Sequence, residues 1–153
     1  MSYEQLKLEN QLCFPFYAAS RLITREYQPY LDRLGITYPQ YLVLLILWEA
    51  DGVSVNDISN KLILNTNTVT PLLKRMEKQG IITRTRSGAD ERRVIVHLTG
   101  SGKKMKRSAA SIPEKLAAGI FSGEMTVDDM MKLKGQLNSI IGYLSGTDRA
   151  FIG

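Results

Sequence analysis

Residues 54–98 follow an order that few folds satisfy. Ser54 is placed to cap a short helix with Val55, Ile58 and Leu62 on one face. A tight break at Leu64-Asn65 leads to another helix ending at Gly80. Its apolar residues Val69, Leu72, Leu73 and Met76 recur at i, i+3, i+4 and i+7, the spacing of one helix face. Two strands, Ile81–Arg86 and Arg93–Leu98, follow at once, joined by Ser87–Arg92 with its charged Gly88-Ala89-Asp90-Glu91 tip. Two short helices around a tight break make a helix-turn-helix. With a hairpin directly behind it, the pattern is a winged helix.

The flanks are helical. From Gln5 to Tyr30, Leu12, Phe16, Ala19 and Ile23 fall at helical spacing, with Pro29 and then Gly35 as stops. A second helix opens at Thr37-Tyr38-Pro39-Gln40, with Thr37 as N-cap, and ends near Asp51-Gly52. Thr99 caps a fifth, which runs through Arg107 toward Phe121 with Pro113 bending it. Thr126 and Asp129 form a capping box for a last amphipathic helix carrying Met130, Leu133, Leu137, Ile140, Ile141 and Leu144. The fold class expected is therefore mostly α with a small β-hairpin wing. One domain spans residues 1–153, with a winged-helix part at 37–98 and helical dimerisation parts at 5–30 and 99–146. The winged helix leaves the apolar stripes of the long terminal helices uncovered, and a second copy in a symmetric homodimer is the simplest cover.

Charge is concentrated in the middle. Between Thr66 and Arg107 there are eleven Lys/Arg and three Asp/Glu, a local net of +8 within a chain of net +5. Such asymmetry suits a polyanion, although a basic stretch is also compatible with a solvated face. The outer side of the fourth helix offers Thr66, Asn67, Thr68, Thr70, Lys74 and Arg75. Hydroxyls, amides and free N–H groups at a helix N-terminus suit phosphates and base edges, and Lys74 and Arg75 can neutralise phosphates or reach guanine. Pro71 lacks the N–H of an interior residue and loosens that end. The wing holds Arg84, Arg86, Arg92 and Arg93. Arg92, with Asp90 to orient its guanidinium, is the residue best placed to enter a narrow minor groove.

The single cysteine, Cys13, excludes an internal disulfide. A free cysteine is often no more than a small buried hydrophobe. On a continuous helix, Tyr17 and Tyr27 lie within about 40° of Cys13, so all three share a face. Tyr27 is roughly 21 Å away along the axis and meets a Cys13 only from another chain. A phenol hydroxyl donated to a thiolate favours the charged form.

The stretch Leu12–Leu98 resembles the MarR family of winged-helix regulators, and within it the organic hydroperoxide resistance regulators. The words that carry the resemblance are Gln11-Leu12-Cys13-Phe14, Leu34-Gly35-Ile36-Thr37-Tyr38-Pro39-Gln40-Tyr41, Thr68-Val69-Thr70-Pro71-Leu72-Leu73-Lys74-Arg75-Met76-Glu77 and Asp90-Glu91-Arg92. The resemblance implies an obligate homodimer on a pseudo-palindromic double-stranded DNA operator, the fourth helix in the major groove and Arg92 in the minor groove, usually with repression as output. It implies that Cys13 senses organic hydroperoxides, with Tyr17 and Tyr27 of the partner subunit bonding its sulfur. With no second cysteine, the oxidised form turns to a low-molecular-weight thiol or over-oxidises. Pro15 departs from the pattern and either kinks the first helix or starts it. Asn65 replaces a common acidic cap and serves similarly.

One Cys and one His (His97) furnish no usual zinc site, and no Gly-rich phosphate loop, serine nucleophile motif or carboxylate pair is present, so neither cofactor, metal nor catalytic residue is expected. No apolar run approaches a membrane span, and the start, with Ser2, Glu4 and Gln5, lacks a secretory pattern; the expectation is a cytoplasmic non-enzyme. Three rivals remain: a regulator induced by a small aromatic ligand, a thiol peroxidase, and a winged helix that binds only protein.

Overall fold

The computed structural model describes residues 3–90, 92–120 and 125–147, so Ser2, Glu91 and Phe121 lie outside the described residues. Seven α-helices and three short strands follow one another within these segments. They are α1 (Phe14–Leu34), α2 (Tyr38–Glu49), β1 (Val53–Ser54), α3 (Val55–Leu62), α4 (Thr66–Lys78), β2 (Ile82–Arg86), β3 (Val94–Leu98), α5 (Gly100–Ala109), α6 (Ile112–Ile120) and α7 (Val127–Thr147). They fall into two compact units that divide between Ile112 and Pro113.

The first unit holds the winged helix. Thr37 and Gln40 cap α2 reciprocally, and Ser54 Oγ accepts the Asp57 N–H at 3.1 Å to start α3. The α3–α4 turn passes through Ile63 at φ 55°, a left-handed conformation that β-branched residues avoid. Asn65 Oδ1 then accepts the Asn67 N–H and starts α4. Val69, Leu73 and Met76 are fully buried, as the periodicity predicts, together with Leu31, Val43, Leu44 and Ile58.

The wing is wider than a hairpin. β2 and β3 pair antiparallel from Ile82↔Leu98 to Arg86↔Val94, and β1 joins the other edge of β3 through Val53↔Val96 and Ser54↔Ile95. The strand order is β1-β3-β2, with Val96 buried at the centre. Behind the sheet, Gly102 on α5 sits where an added Cβ would lie 2.3 Å from the Ile81 carbonyl oxygen, so α5 approaches at glycine distance.

Three helix boundaries differ from the sequence reading. The first helix does not begin at Gln5. Pro15 occupies its first turn, and residues 4–10 instead form two single 3-10 turns, Glu4–Leu6 and Leu8–Asn10. Side-chain amides of Asn10 and Gln11 reach back to the Glu4 and Gln5 carbonyls and hold these turns. Cys13 is consequently the N-cap of α1 and not a residue within it. At the other end the helix runs through Pro29 to Leu34, and Gly35 at φ 67° stops it. Pro29 is on an exposed face, where the carbonyl it leaves unpaired can meet water. Finally, Pro113 breaks the expected fifth helix rather than bending it: α5 ends at Ala109, and the proline takes the first turn of α6.

In the second unit the Thr126–Asp129 box forms as predicted, with Thr126 Oγ1 accepting the Asp129 N–H and the Asp129 carboxylate accepting the Thr126 N–H. Along α7, Met130, Leu133 and Leu137 are half-buried and Ile140, Ile141 and Leu144 are exposed.

Candidate functional site

The start of α3, the outer side of α4 and the wing enclose a cleft of about 190 Å³. Ser54, Val55 and Asn56 form one wall and Thr66 and Thr70 another, while Arg84, Arg92, Arg93 and Val94 close it from the sheet. Four residues singled out from sequence, Thr66, Thr70, Arg84 and Arg92, therefore converge. Asn67, Thr68, Lys74, Arg75 and Arg86 are exposed but do not line the cleft. Ser54, Asn56 and Arg93 were missed as lining residues. Ser54 was legible only as a cap and Arg93 only as a wing arginine, because α3 faces the wing only once the sheet has formed.

The arginines are held unequally. Arg84 Nη2 lies 2.6 Å and its Nε 3.0 Å from Glu77 Oε2, and its backbone N–H donates to Glu77 Oε1 at 3.0 Å. The hydrogen bond from the Arg84 side chain, with help from its N–H and charge, outweighs burial and holds the Glu77 carboxyl below the usual range. This three-point contact fastens the wing to α4, so the Arg84 guanidinium is a strut across the cleft as well as a charge within it. Arg93 reaches the Asp57 carboxylate at 3.5 Å. Arg92 is exposed. Asp90 serves it differently from the sequence expectation: its carboxylate accepts the Arg92 backbone N–H at 3.0 Å, shaping the loop rather than aiming the guanidinium. Of the basic residues on α5, Lys103 lies 3.5 Å from Asp51, and Lys106 donates to the Trp48 carbonyl at 2.7 Å.

Cys13 is exposed at the head of α1, and its carbonyl accepts the Tyr17 N–H at 3.3 Å. Tyr17 is also exposed, with the Arg21 guanidinium 5.4 Å from its ring centre. Tyr27 belongs to a different setting. Its ring lies 4.9 Å from Tyr38 and 5.7 Å from Tyr41, both on α2. Burial, reinforced by Tyr38 and Tyr41, raises the Tyr27 hydroxyl above its ordinary pKa, so it stays a protonated donor at neutral pH. Fourteen residues of helix, about 21 Å, separate Cys13 from Tyr27 in one chain. Tyr38 was missed from sequence because it approaches Tyr27 from another helix. Around these groups Phe14, Phe16, Tyr17, Leu22 and Ile23 present exposed apolar surface.

The transcriptional regulator SarA/Rot family matches residues 25–108. An organic hydroperoxide resistance transcriptional regulator of Bacillus subtilis is 45% identical over 142 residues, covering 93% of this chain and 95% of the relative. The HTH-type transcriptional regulator MgrA of Staphylococcus aureus is 37% identical, covering 88% and 92%. Among solved structures, reduced AbfR bound to DNA superposes with a TM-score of 0.74 at 37% identity, covering 94% of this chain and 99% of that one. AbfR, from Staphylococcus epidermidis, is also solved overoxidised on DNA (TM-score 0.73) and in a disulfide-formed state (0.63).

Proposed function

Because this chain belongs to the MarR family of winged-helix transcriptional regulators, in the group of the organic hydroperoxide resistance regulators, we propose that it is a homodimeric DNA-binding repressor that organic hydroperoxides switch off through Cys13. The observation that carries this is the pairing of an exposed lone thiol with an uncovered apolar helix face at the head of α1. A second copy crossing α1 in antiparallel fashion brings the partner subunit's Tyr27 to Cys13. The Tyr27–Tyr38 ring contact makes that tyrosine a rigid donor.

In DNA binding, two α4 helices enter successive major grooves, about 34 Å apart. Thr66, Asn67, Thr68 and Thr70 face the bases and phosphates, Lys74 and Arg75 the backbone, and Arg86 and Arg92 reach outward from the wing. Arg84 keeps the wing at its angle to α4. For sensing, the Cys13 thiolate attacks one peroxide oxygen. An S–O bond forms and the O–O bond breaks; the sulfur is oxidised to sulfenic acid, and the peroxide leaves as its alcohol after taking a proton. A low-molecular-weight thiol then displaces the sulfenic oxygen as water and leaves a mixed disulfide. AbfR is solved on DNA in an overoxidised form, which favours added bulk over added oxygen as the releasing event here. The disulfide wedges the subunits apart at Tyr27, and the reading heads lose their spacing. No second cysteine stands ready in this chain to recycle the sulfenic acid, which favours a sensor over a thiol peroxidase.

The test is binding to a duplex selected by the reduced protein from a random pool, before and after cumene hydroperoxide with added free cysteine. Native protein is expected to release DNA and Cys13→Ser to hold it. Binding of the reduced form falls steeply with salt. Equal release by Cys13→Ser, or a monomer indifferent to DNA at low ionic strength, overturns the proposal.

A further inference from the structure

The far end of α4 carries a side chain tied to both other helices of the sensing side. Gln79 is the C-cap of α4. Its Oε1 accepts from Gln40 Nε2 at 2.8 Å, and its Nε2 donates to the Gly35 carbonyl at 3.3 Å. Gly35 is the residue that ends α1. Gln40 is 3% exposed and lies between Tyr38 and Tyr41, the two residues on which Tyr27 rests. Its Oε1 is already committed to the Thr37 N–H at the start of α2. One amide therefore joins the end of α1, the beginning of α2 and the end of α4, and a buried partner fixes its orientation.

This position has leverage. From Gln79 back to Thr66 is thirteen residues, about 20 Å of helix. A tilt of about 10° at the Gln79 end moves the Thr66 end by roughly 3 Å, a full hydrogen-bond length. The Tyr27 ring touches α2 on either side of Gln40, so a displacement of Tyr27 strains the α2 start first, and Gln79 is the polar link from there to α4.

We propose that Gln79 is a positioning residue that couples the Tyr27–Tyr38–Tyr41 surface to the angle of α4, and so sets how strongly oxidation at Cys13 changes DNA affinity. The proposal rests on the peroxide-sensing reading above. Shared contacts alone do not demonstrate coupling; a change in the ratio of two affinities does.

The experiment compares DNA affinity of reduced and cumene hydroperoxide-treated protein, with free cysteine present, for native protein, Gln79→Met and Gln79→Glu. The duplex is the one selected from a random pool. Methionine keeps length and packing but removes both hydrogen bonds; glutamate keeps the acceptor for Gln40, the tie to α2 on which the coupling rests, and gives up only the longer donor contact to Gly35. Native protein is expected to lose affinity about tenfold or more on oxidation. In Gln79→Met that ratio falls by about threefold or more, while Gln79→Glu keeps a ratio near native. Thermal unfolding separates a folded Gln79→Met from a damaged one. Should the variant be destabilised, Gln79→Ala tests the same link, because Gln79 is exposed and its truncation removes both hydrogen bonds without burying a charge. Equal weakening of both redox states, with the ratio intact, makes the amide merely structural and overturns the proposal, as does a Gln79→Glu ratio that falls like Gln79→Met. A native protein with no redox ratio at all overturns the sensing reading and this role with it.

Discussion

The middle of the molecule and its ends treat apolar side chains in opposite ways. In α3 and α4, the residues that periodicity marks as inward are inward: Ile58, Val69, Leu72, Leu73 and Met76 are buried, and Val55 and Leu62 pack half-buried against the core, all within one chain. On α1 and α7, residues at equally regular spacing stay in the open, among them Phe16, Ile23, Ile140, Ile141 and Leu144. Amphipathic spacing thus fixes which side of a helix wants cover without saying which molecule supplies it. The middle covers its own apolar residues, and the ends leave theirs exposed.

The largest effect tests the self-sufficient half. Leu73→Ala removes a fully buried side chain from α4 and is expected to cost about 2–5 kcal/mol in urea denaturation. Its thermal unfolding should fall whatever the protein concentration. The other half should behave differently. Phe16→Glu and Ile141→Glu are expected to cost about 2 kcal/mol or more of dimer stability, read by sedimentation equilibrium as a rising monomer fraction on dilution. Helix content should be retained. A dimer indifferent to both changes would erase the contrast between the regions.

Smaller effects sharpen it within the middle. Ser54→Ala removes the oxygen that caps α3 and is expected to cost about 1 kcal/mol, again in urea. The smallest effect is a pH dependence. Glu77 is held below the usual carboxylate range in the folded chain, so its contact with Arg84 stabilises fully above the unfolded value of about 4.3. That contribution disappears as pH falls through the lower folded value. The stability difference between native protein and Glu77→Gln should therefore shrink on acidification, and a difference that grew would contradict the assigned pairing.

Which parts were legible follows from how local their causes are. The caps at Thr37, Ser54, Asn65, Thr99 and Thr126 act within three residues, so sequence alone locates those helix starts. The prolines depend on where in a helix they fall. Pro15 and Pro113 begin helices, while Pro29 and Pro71 ride inside them, and composition treats the four alike. β1 is two residues long and exists only because β3 lies beside it, so no alternation could announce it. At the candidate sites, the exposed cations were readable, but the Glu77–Arg84 tie and the Tyr27–Tyr38 contact join separate elements.

Ile63 carries a last consequence. A branched side chain in a left-handed turn costs of order 1–3 kcal/mol, and here it sits at the elbow between α3 and α4. The elbow is thus a preloaded joint: the packing of both helices clamps it shut, and loosening either lets the stored tension change their mutual angle. Ile63→Gly would unload the joint and leave α4 freer to wander.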